Sequence, residues 1–420
     1  MRAETISIGT ELLLGQITDT NAVFLAGWLA RNGLAQTHRQ TVGDNLERCT
    51  EAIRLALSRS DVVFTIGGLG PTPDDLTRAA IAAALDEPLI RDPELVEHLR
   101  SEYGRRGLKI SGSQLFQADR PACAEAIPNL NGTAPGLHCQ KSGKHVVALP
   151  GPKGEFVPMV EGPVAQIIGR LRPGPPIFSR TLRVVGVSEA SIGEQLADLM
   201  AVDDPTLAPY AKTGEVHLRA TTRDASQKVA DAKLEHVVGI IRERLGKAVY
   251  AEGEESLEAW TVATLATRGA TLTTAESCTG GLLAGRITSV DGSSQAFHTG
   301  YVTYSAEAKE KRLGVQPHTL LKHGTVSEET AREMAQGARG RTGATYAISV
   351  TGVAGATPLE EPPEPKPSGL VYIGIAGPQS IQVHRFHFRG DRATIRDRAV
   401  SAALIKFRDF LLESQPLRPV

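Results

Sequence analysis

A short, almost continuously apolar strand constrains the fold of the N-terminal third of this chain. Residues 61–66 read Asp-Val-Val-Phe-Thr-Ile, without the polar alternation of a sheet that has one solvated face, and this predicts a strand buried on both faces. Before it come a strand at 4–8, a helix capped by Asp19 that stops near Gly33, a strand at 35–42 and a helix at 46–57. This order predicts a doubly wound α/β domain.

Length, charge and cysteine spacing limit the class of protein. The 420 residues predict two or three domains, and 46 basic against 47 acidic residues, a net charge of −1, argue against a general binder of polyanions. No apolar run is long enough to span a bilayer, and Glu4 stands where a signal peptide would begin its apolar core. We therefore expect a soluble, cytoplasmic protein. Its four scattered cysteines predict reduced thiols, without a disulfide frame or zinc site.

A glycine-rich segment follows the apolar strand at its carboxyl end, where open α/β sheets bind ligands. Residues 67–77 read Gly-Gly-Leu-Gly-Pro-Thr-Pro-Asp-Asp-Leu-Thr. The glycines allow a phosphate to approach the backbone, and Asp74 and Asp75 are able to hold a divalent cation that bridges phosphate oxygens. The alternative is that both aspartates only cap the next helix. Three more candidates for facing the ligand are Asn131, Thr133 and Lys153.

A proline-rich linker at 170–176 separates this domain from a smaller α+β module. The module is predicted to contain strands at 179–185, 215–222 and 248–251 and helices at 188–200 and 225–245. It lacks the Gly-x-x-Gly loop with which an RNA-binding KH module clamps the nucleic-acid backbone. A role as spacer or in dimerisation is therefore favoured over RNA binding.

The segment 274–281, Thr-Ala-Glu-Ser-Cys-Thr-Gly-Gly, lies at a predicted corner between a strand and a helix. A serine there meets unpaired helical N–H groups suited to an oxyanion or a phosphate, so Ser277 is a candidate nucleophile; the alternative is an ordinary helix cap. Downstream, Lys309 is a candidate general base and Tyr304 a group that relays a proton or holds the lysine. The alternative for Lys309 is a solvated helix position. Cys278 is the rival nucleophile, since a helix N-terminus lowers a thiol pKa.

The motifs at 7–15, 19–21 and 67–75 resemble those of the molybdopterin-binding-like domain found at the N-terminus of CinA (competence/damage-inducible) proteins. The resemblance covers about residues 1–168 and implies a metal-dependent pyrophosphatase that cleaves ADP-ribose to AMP and ribose 5-phosphate. It implies a phosphate and metal site made of Gly67, Gly68, Asp74 and Asp75, with Asp44 as a further acidic position, and a KH-like module at 177–253. Adenylyl transfer, an activity of related proteins, is an alternative.

Five motifs, at 275–281, 301–309, 323–327, 349–355 and 388–392, look like those of the CinA C-terminal domain. The resemblance covers 256–416 and implies a deamidase that converts nicotinamide mononucleotide (NMN) to nicotinic acid mononucleotide and ammonia without a metal. It implies Ser277 as nucleophile, Lys309 as its base and Tyr304 as the assisting hydroxyl.

The remaining substrate contacts follow from this chemistry. Backbone N–H groups of Thr279, Gly280 and Gly281 are expected to stabilise the oxyanion. The donors expected for the substrate phosphate are Thr351, Gly352, Arg392 and Arg396.

Two segments depart from the family pattern. The first is Ser-Gly-Ser-Gln at 111–114. The second is a longer, acidic and proline-rich segment at 356–366, whose three glutamates are expected to repel a phosphate.

The sequence thus predicts a three-part CinA protein of pyridine-nucleotide salvage. It implies NMN and ADP-ribose as substrates, a divalent cation such as Mg²⁺ for the N-terminal domain, self-association as a homodimer, and no nucleic-acid or membrane partner. The alternative from another class is a scaffold for nucleic acid or a repair complex in which one or both sites have decayed.

Overall fold

The computed structural model describes residues 1–105, 107, 109–171, 173–361 and 363–414. Arg172 in the predicted linker, Pro362 in the acidic segment and residues 415–416 at the predicted end of the last domain lie outside the described residues. The chain divides into two compact units, Met1–Phe178 with Thr222–Ala232, and Ser179–Thr221 with Lys233–Val420.

The N-terminal domain is built on a six-stranded sheet of order β2-β1-β3-β8-β7-β6. The first four strands run parallel, and β7 pairs antiparallel with both β8 and β6. The strands are β1 (Arg2–Ile8), β2 (Ala35–Val42), β3 (Val62–Ile66), β4 (Leu89–Arg91), β5 (Asp119–Pro121), β6 (Ala124–Ile127), β7 (Gly136–Lys141) and β8 (Lys144–Leu149). The helices are α1 (Thr10–Leu13), α2 (Thr20–Arg31), α3 (Leu46–Arg59), α4 (Thr77–Ala84), α5 (Pro93–Arg105), α6 (Lys153–Met159) and α7 (Ala165–Leu171).

The central strand β3 explains why this domain is doubly wound. All five of its residues are buried. Val63 packs into the core formed with α3 and α4, whereas Val62 and Phe64 pack into the opposite core with α2 and α6. Because successive side chains of a strand point to opposite faces, a strand without polar alternation requires helices on both faces. The predicted α/β architecture is therefore confirmed.

The middle module is a four-stranded sheet of order β10-β11-β9-β12. Its elements are β9 (Ile177–Val185), α8 (Glu189–Gln195), α9 (Ala197–Met200), β10 (Thr206–Lys212), β11 (Glu215–Arg223), α10 (Gln227–Leu245) and β12 (Val249–Glu252). The sequence prediction missed β10. That strand contains Pro209, which has no N–H to donate, and it is tolerated because β10 lies at the edge of the sheet and pairs only with β11.

The C-terminal domain is built on a five-stranded sheet of order β14-β13-β15-β16-β17. Its strands are β13 (Leu272–Glu276), β14 (Phe297–Val302), β15 (Tyr346–Gly352), β16 (Leu370–Ala376) and β17 (Ile381–His387). Its helices are α11 (Leu257–Thr267), α12 (Leu282–Thr288), α13 (Ala306–Ala308), α14 (Pro317–His323), α15 (Glu328–Thr342) and α16 (Arg392–Glu413).

Helices cover both faces of this second sheet as well. On one face the apolar stripe of α16 packs against β15, with the ring of Phe407 edge-on to that of Tyr346 at a centroid distance of 5.6 Å. On the other face α15 packs Met334 against Ala347. The same core as Phe407 includes Val185 of the middle module, so that module and the C-terminal domain share a hydrophobic core.

Among the described residues, the helices that are long enough to cross a bilayer are not apolar enough to do so.

We predict that Phe407→Ala lowers the free energy of unfolding of the C-terminal sheet by about 3–5 kcal/mol, because it opens a cavity in a fully buried core. The matched control is Leu412→Ala on the same helix, where the side chain is 37% exposed, and we expect a loss of about 1 kcal/mol or less. Urea unfolding monitored by circular dichroism measures both values. Equal losses would contradict the packing described for α16.

Candidate active sites

Ser277 directly follows β13 in the C-terminal domain. Glu276, the last residue of β13, pairs with Val350 of the parallel strand β15, and the N–H of Ser277 donates to the Val350 carbonyl at 2.9 Å. The Ser277 side chain is almost buried. The sheet therefore holds the hydroxyl at the carboxyl ends of two adjacent parallel strands, the usual place for a ligand in an open α/β sheet.

The side chain of Lys309 contacts that of Ser277. Its Nζ lies 3.0 Å from Ser277 Oγ and donates to the carbonyls of Thr303 at 2.9 Å and Tyr304 at 3.3 Å. The side chain is fully buried, and this burial lowers the pKa of the amine to about 8, while negative charge on Cys278 or Glu361 acts in the opposite direction. A lysine with such a pKa is neutral in part of the molecules near neutral pH and is then able to accept the serine proton.

A distorted helical turn delivers Lys309 to the interior. Ser305 caps the segment, since its Oγ accepts from the Ala308 N–H at 3.1 Å, and a π-helical turn, Lys309–Leu313, follows directly. Leu313 is buried in the core beneath α15. Single π turns inside helices occur often at functional sites, because the extra residue redirects a side chain.

Glu276 has a role that the sequence analysis missed. Its fully buried carboxylate accepts from the N–H groups of Gly281 at 3.0 Å, Leu283 at 3.0 Å and Ala284 at 2.8 Å. It thereby satisfies the unpaired donors at the start of α12 and fixes the turn that carries Ser277. An acidic residue just before a predicted helix start was the signal that could have identified it.

The free donors around Ser277 differ from those predicted. The Gly280 N–H donates to the Ser277 carbonyl at 3.1 Å, and the Gly281 N–H is taken by Glu276. In the described part of the chain, the N–H groups of Cys278 and Thr279 have no carbonyl or carboxylate acceptor. Of the predicted oxyanion donors only Thr279 thus lacks such an acceptor. The Cys278 N–H, whose neighbour is its own sulfur, is a second candidate donor. Gly280 and Gly281 instead form the turn, because their φ angles of +58° and +92° lie in the left-handed region that favours glycine.

Tyr304 does not face Lys309 with its hydroxyl, contrary to the prediction. Strand β14 ends at Val302, the Tyr304 side chain is 61% exposed, and its hydroxyl accepts from the Arg392 guanidinium at 2.8 Å. Only the Tyr304 carbonyl contacts the lysine. Tyr304 therefore positions Lys309 through its backbone, while its phenol and Arg392 lie together at the surface.

The other predicted contact residues of this domain occupy three different settings. Arg396 donates to the Thr279 carbonyl at 2.8 Å and so braces the turn after Ser277. Thr351 is buried and donates to the Thr325 carbonyl at 2.7 Å. Gly352 lies against β16, where a Cβ would come within 2.7 Å of the Leu370 carbonyl oxygen, so strand packing explains this glycine.

The predicted phosphate site of the N-terminal domain is a cleft of about 720 Å³ at the carboxyl end of its sheet. A Cβ at Gly67 would lie 2.4 Å from the Ile8 carbonyl oxygen, and one at Gly68 would lie 2.3 Å from Thr77 Oγ1, so the loop requires both glycines. Asn131 does not line the cleft, because its side chain donates to the Gly154 carbonyl at 2.8 Å. The predicted residues that do line it are Asp44, Gly67, Gly68, Asp74, Asp75, Thr133 and Lys153.

The three aspartates of the cleft have different partners. Asp44 accepts from the N–H of Thr10 at 2.9 Å and from its hydroxyl at 2.8 Å, and Asp75 accepts from the Thr72 N–H at 2.8 Å. Asp74 is exposed. Within the described residues, no three His, Cys, Asp or Glu side chains converge as metal ligands. Carboxylates of this kind nevertheless suit Mg²⁺, which needs one or two of them beside substrate phosphates.

Comparison with known proteins identifies the family. Residues 254–411 match the CinA C-terminal domain, residues 4–170 a probable molybdopterin binding domain, and residues 179–251 the KH domain of damage-inducible protein CinA. A relative from Symbiobacterium thermophilum, described as competence-damage inducible, is 45% identical over 98% of this chain and 99% of its own length. The chain belongs to the CinA family.

One further relative of this CinA-family chain spans nearly all of it, and one solved structure matches a part of it. A CinA-like protein of Kosmotoga olearia is 43% identical over 98% of this chain and 99% of its own. Among solved structures, a protein CinA with unknown function from Thermoplasma acidophilum is 33% identical, with a TM-score of 0.38 over 40% of this chain and 99% of that one.

Two further side chains of the CinA-family chain clarify its sites. Cys278 is buried, and burial raises the pKa of its thiol to about 11, so the thiol is protonated at neutral pH. Burial outweighs the backbone N–H and the nearby cations, which lower this pKa, so the net shift is opposite to the one expected for a rival nucleophile. In the N-terminal domain the buried Arg78 donates to the carbonyls of Leu69 and, at 3.2 Å, Gly70, and so holds the glycine loop. A basic residue in the first turn of the helix after that loop was its signal in the sequence.

We predict that Lys309→Met changes how stability depends on pH. In the wild type the free energy of unfolding should rise as the pH increases from about 8 to 10.5, because the unfolded lysine has its ordinary pKa of 10.5 and binds more protons than the folded one. The methionine variant lacks this rise, which amounts to about 3 kcal/mol at 1.36 kcal/mol per pKa unit.

Urea unfolding across this pH range measures the difference. The matched control is Lys311→Met two residues away, since Lys311 is exposed and paired with Glu307, and its pH curve should run parallel to that of the wild type. If Lys309→Met also ran parallel to the wild type, the lowered pKa of the buried amine would be refuted.

Proposed function

We propose that the C-terminal domain is an amidohydrolase that converts NMN to nicotinic acid mononucleotide and ammonia. The observation that carries this proposal is the 3.0 Å contact between Ser277 Oγ and the buried Lys309 Nζ. A serine activated by a lysine of lowered pKa is an established arrangement for acyl transfer. Family membership supports the proposal, because the five motifs that resemble the deamidase domain include both residues.

The proposed reaction has two halves. Neutral Lys309 takes the proton of Ser277 while the serine oxygen bonds to the carboxamide carbon, and the oxyanion receives hydrogen bonds from the N–H groups of Cys278 and Thr279. Lys309 then gives the proton to the leaving nitrogen, the C–N bond breaks, and ammonia departs from the acyl-enzyme. Water gives a proton to Lys309 and its oxygen to the acyl carbon, and Ser277 is reprotonated as the product leaves.

Arg392 and Tyr304 suit the substrate phosphate. The Arg392 guanidinium lies 2.8 Å from the Tyr304 hydroxyl, and both side chains are exposed beside the site. An arginine and a hydroxyl are frequent phosphate donors. In this proposal Tyr304 helps to bind the substrate and takes no part in proton transfer.

We predict that Ser277→Ala lowers NMN deamidation by about a thousandfold or more, as expected when a nucleophile is lost. Cys278→Ala is the matched control one residue away, and it should keep most of the activity because the buried thiol is protonated. Chromatographic separation of NMN from its deamidated product measures both. Activity that survives Ser277→Ala and disappears in Cys278→Ala would overturn the assignment.

We also propose that the N-terminal cleft hydrolyses ADP-ribose to AMP and ribose 5-phosphate with the help of a divalent cation. Support comes from the glycine loop, whose backbone is open to a phosphate, and from Asp74 and Asp75 on the same cleft wall. The cation, when bound, would neutralise charge on the pyrophosphate. Lys153, the exposed first residue of α6, would bind a phosphate oxygen.

We predict that Asp74→Asn lowers ADP-ribose hydrolysis in Mg²⁺ by at least about tenfold, because a carboxylate ligand is lost. Because Asp74 is exposed, the substitution should leave the fold intact, so a loss of activity reports on the site itself. Ser277→Ala is the reciprocal control, since it should leave ADP-ribose hydrolysis intact while Asp74→Asn leaves NMN deamidation intact. Hydrolysis that is undiminished in EDTA would contradict the role of the metal.

The same assays decide between the proposal and its alternatives. If neither NMN nor ADP-ribose is turned over while DNA or RNA binds with strong salt dependence, the chain is a nucleic-acid scaffold. If labelled AMP moves from ATP onto a pterin-type acceptor, the N-terminal domain is an adenylyltransferase.

A further inference from the structure

We propose that Glu361 makes the C-terminal site selective for substrates with a positively charged ring, that is, for N-substituted pyridinium carboxamides. This inference rests on the proposed deamidase function. It assigns a role to the acidic segment 356–366, in which the sequence departs from the family pattern.

The acidic segment is folded back on itself. The backbone N–H of Leu359 donates to the Lys366 carbonyl at 2.9 Å, and the N–H of Lys366 donates to the Leu359 carbonyl at 2.8 Å. Just beyond it, Ser368 Oγ donates to the Gly355 carbonyl at 2.6 Å. Glu361 therefore lies between two residues, Leu359 and Lys366, that are joined to each other by backbone hydrogen bonds.

A series of hydrogen bonds connects Glu361 indirectly with Ser277, through Thr325 and the end of β15. Its two carboxylate oxygens accept from the N–H of Thr325 at 2.7 Å and from its hydroxyl at 2.5 Å. The Thr325 carbonyl in turn accepts from Thr351 Oγ1 at 2.7 Å. Thr351 follows Val350, whose carbonyl accepts from the Ser277 N–H. The carboxylate thus lies at the same end of the sheet as the reacting serine.

The negative charge of Glu361 affects Lys309, the proposed general base. It raises the pKa of Lys309, in opposition to the burial that lowers it. The other two glutamates of the segment, Glu360 and Glu364, are exposed and make no hydrogen bond or ion pair within the described residues. Of the three glutamates, Glu361 is therefore the one placed to act on a molecule at Ser277.

A fixed carboxylate at this place distinguishes substrates from products. The ring nitrogen of NMN is quaternised and positively charged, so the carboxylate attracts the ring, whereas a neutral ring of the same shape gains nothing. Deamidation converts the carboxamide of the substrate into a carboxylate. The carboxylate of Glu361 repels this new negative charge, and the repulsion favours release of the product. The phosphate is expected at Arg392, which belongs to a different element.

The test replaces charge without removing the contact. Glu361→Gln keeps an oxygen that accepts from Thr325, and Glu360→Gln is the matched control that removes the same charge from an exposed position in the same loop. The two substrates are NMN and its reduced dihydropyridine form, which has the same phosphate and a neutral ring. The readout is the ratio of their kcat/KM values.

In Glu361→Gln we expect the preference for NMN to fall by about tenfold, the equivalent of one pKa unit of charge interaction. The acid limb of the NMN pH profile should also move to lower pH, because the carboxylate no longer raises the pKa of Lys309. Glu360→Gln should change neither value. Thr325→Val removes a loop contact and keeps the charge, so it should retain the preference.

Two results would overturn the inference. One is an unchanged ratio in Glu361→Gln; the other is an equal loss for both substrates that Thr325→Val reproduces, which would show that Glu361 only anchors the loop. If the wild type leaves NMN intact, the proposed function itself fails. Calorimetric binding of both mononucleotides to the wild type and to Glu361→Gln then still measures the charge preference, and equal discrimination by the two proteins would refute it.

Discussion

The contact between Lys309 and Ser277 depends on burying an amine, and much of the C-terminal domain is arranged around that requirement. A buried ammonium must have polar partners, and here the carbonyls of Thr303 and Tyr304 and the serine hydroxyl provide them. Burial opposes the charged form of both neighbours of the serine. It keeps the Cys278 thiol protonated and unreactive, and it brings the Lys309 amine toward its neutral, basic form. One physical effect, burial, therefore leaves a partly neutral amine beside a protonated thiol.

In both large sheets a buried charged side chain holds the turn at the candidate site, but the two side chains have opposite charges. In each, a glycine-containing turn follows a buried parallel strand and leads into a helix. In the N-terminal domain the buried cation Arg78 holds the carbonyls of that turn, whereas in the C-terminal domain the buried anion Glu276 holds its N–H groups. The first arrangement leaves a wide cleft lined by carboxylates, of which Asp74 is exposed. The second leaves two backbone N–H groups beside a serine. These geometries suit different substrates, a pyrophosphate with its cation and a carboxamide.

Much of the fold followed from local patterns in the sequence. The apolar run at 61–66 required helices on both faces of the sheet, and the structure has them on both faces. Strand β10 escaped prediction because a proline interrupts its pattern, and only its place at a sheet edge makes that proline acceptable. The pairing of Ser277 with Lys309 was anticipated from their motifs, and the structure brings the two side chains into contact across 32 positions of the chain.

By itself, the sequence determined the α/β architecture, the glycine turns and the residue types available for chemistry, because these depend on short-range periodicity and backbone freedom. Only the tertiary structure decided which groups are free to act. The Tyr304 hydroxyl is engaged by Arg392, 88 positions away, and Glu361 reaches Thr325 from another loop. Hydrogen-bond partners and burial are set by contacts between distant segments, and they determine pKa values and donor availability more than residue type does. The contacts of Tyr304 and Glu361 and the burial of Cys278 are therefore visible only in the folded chain.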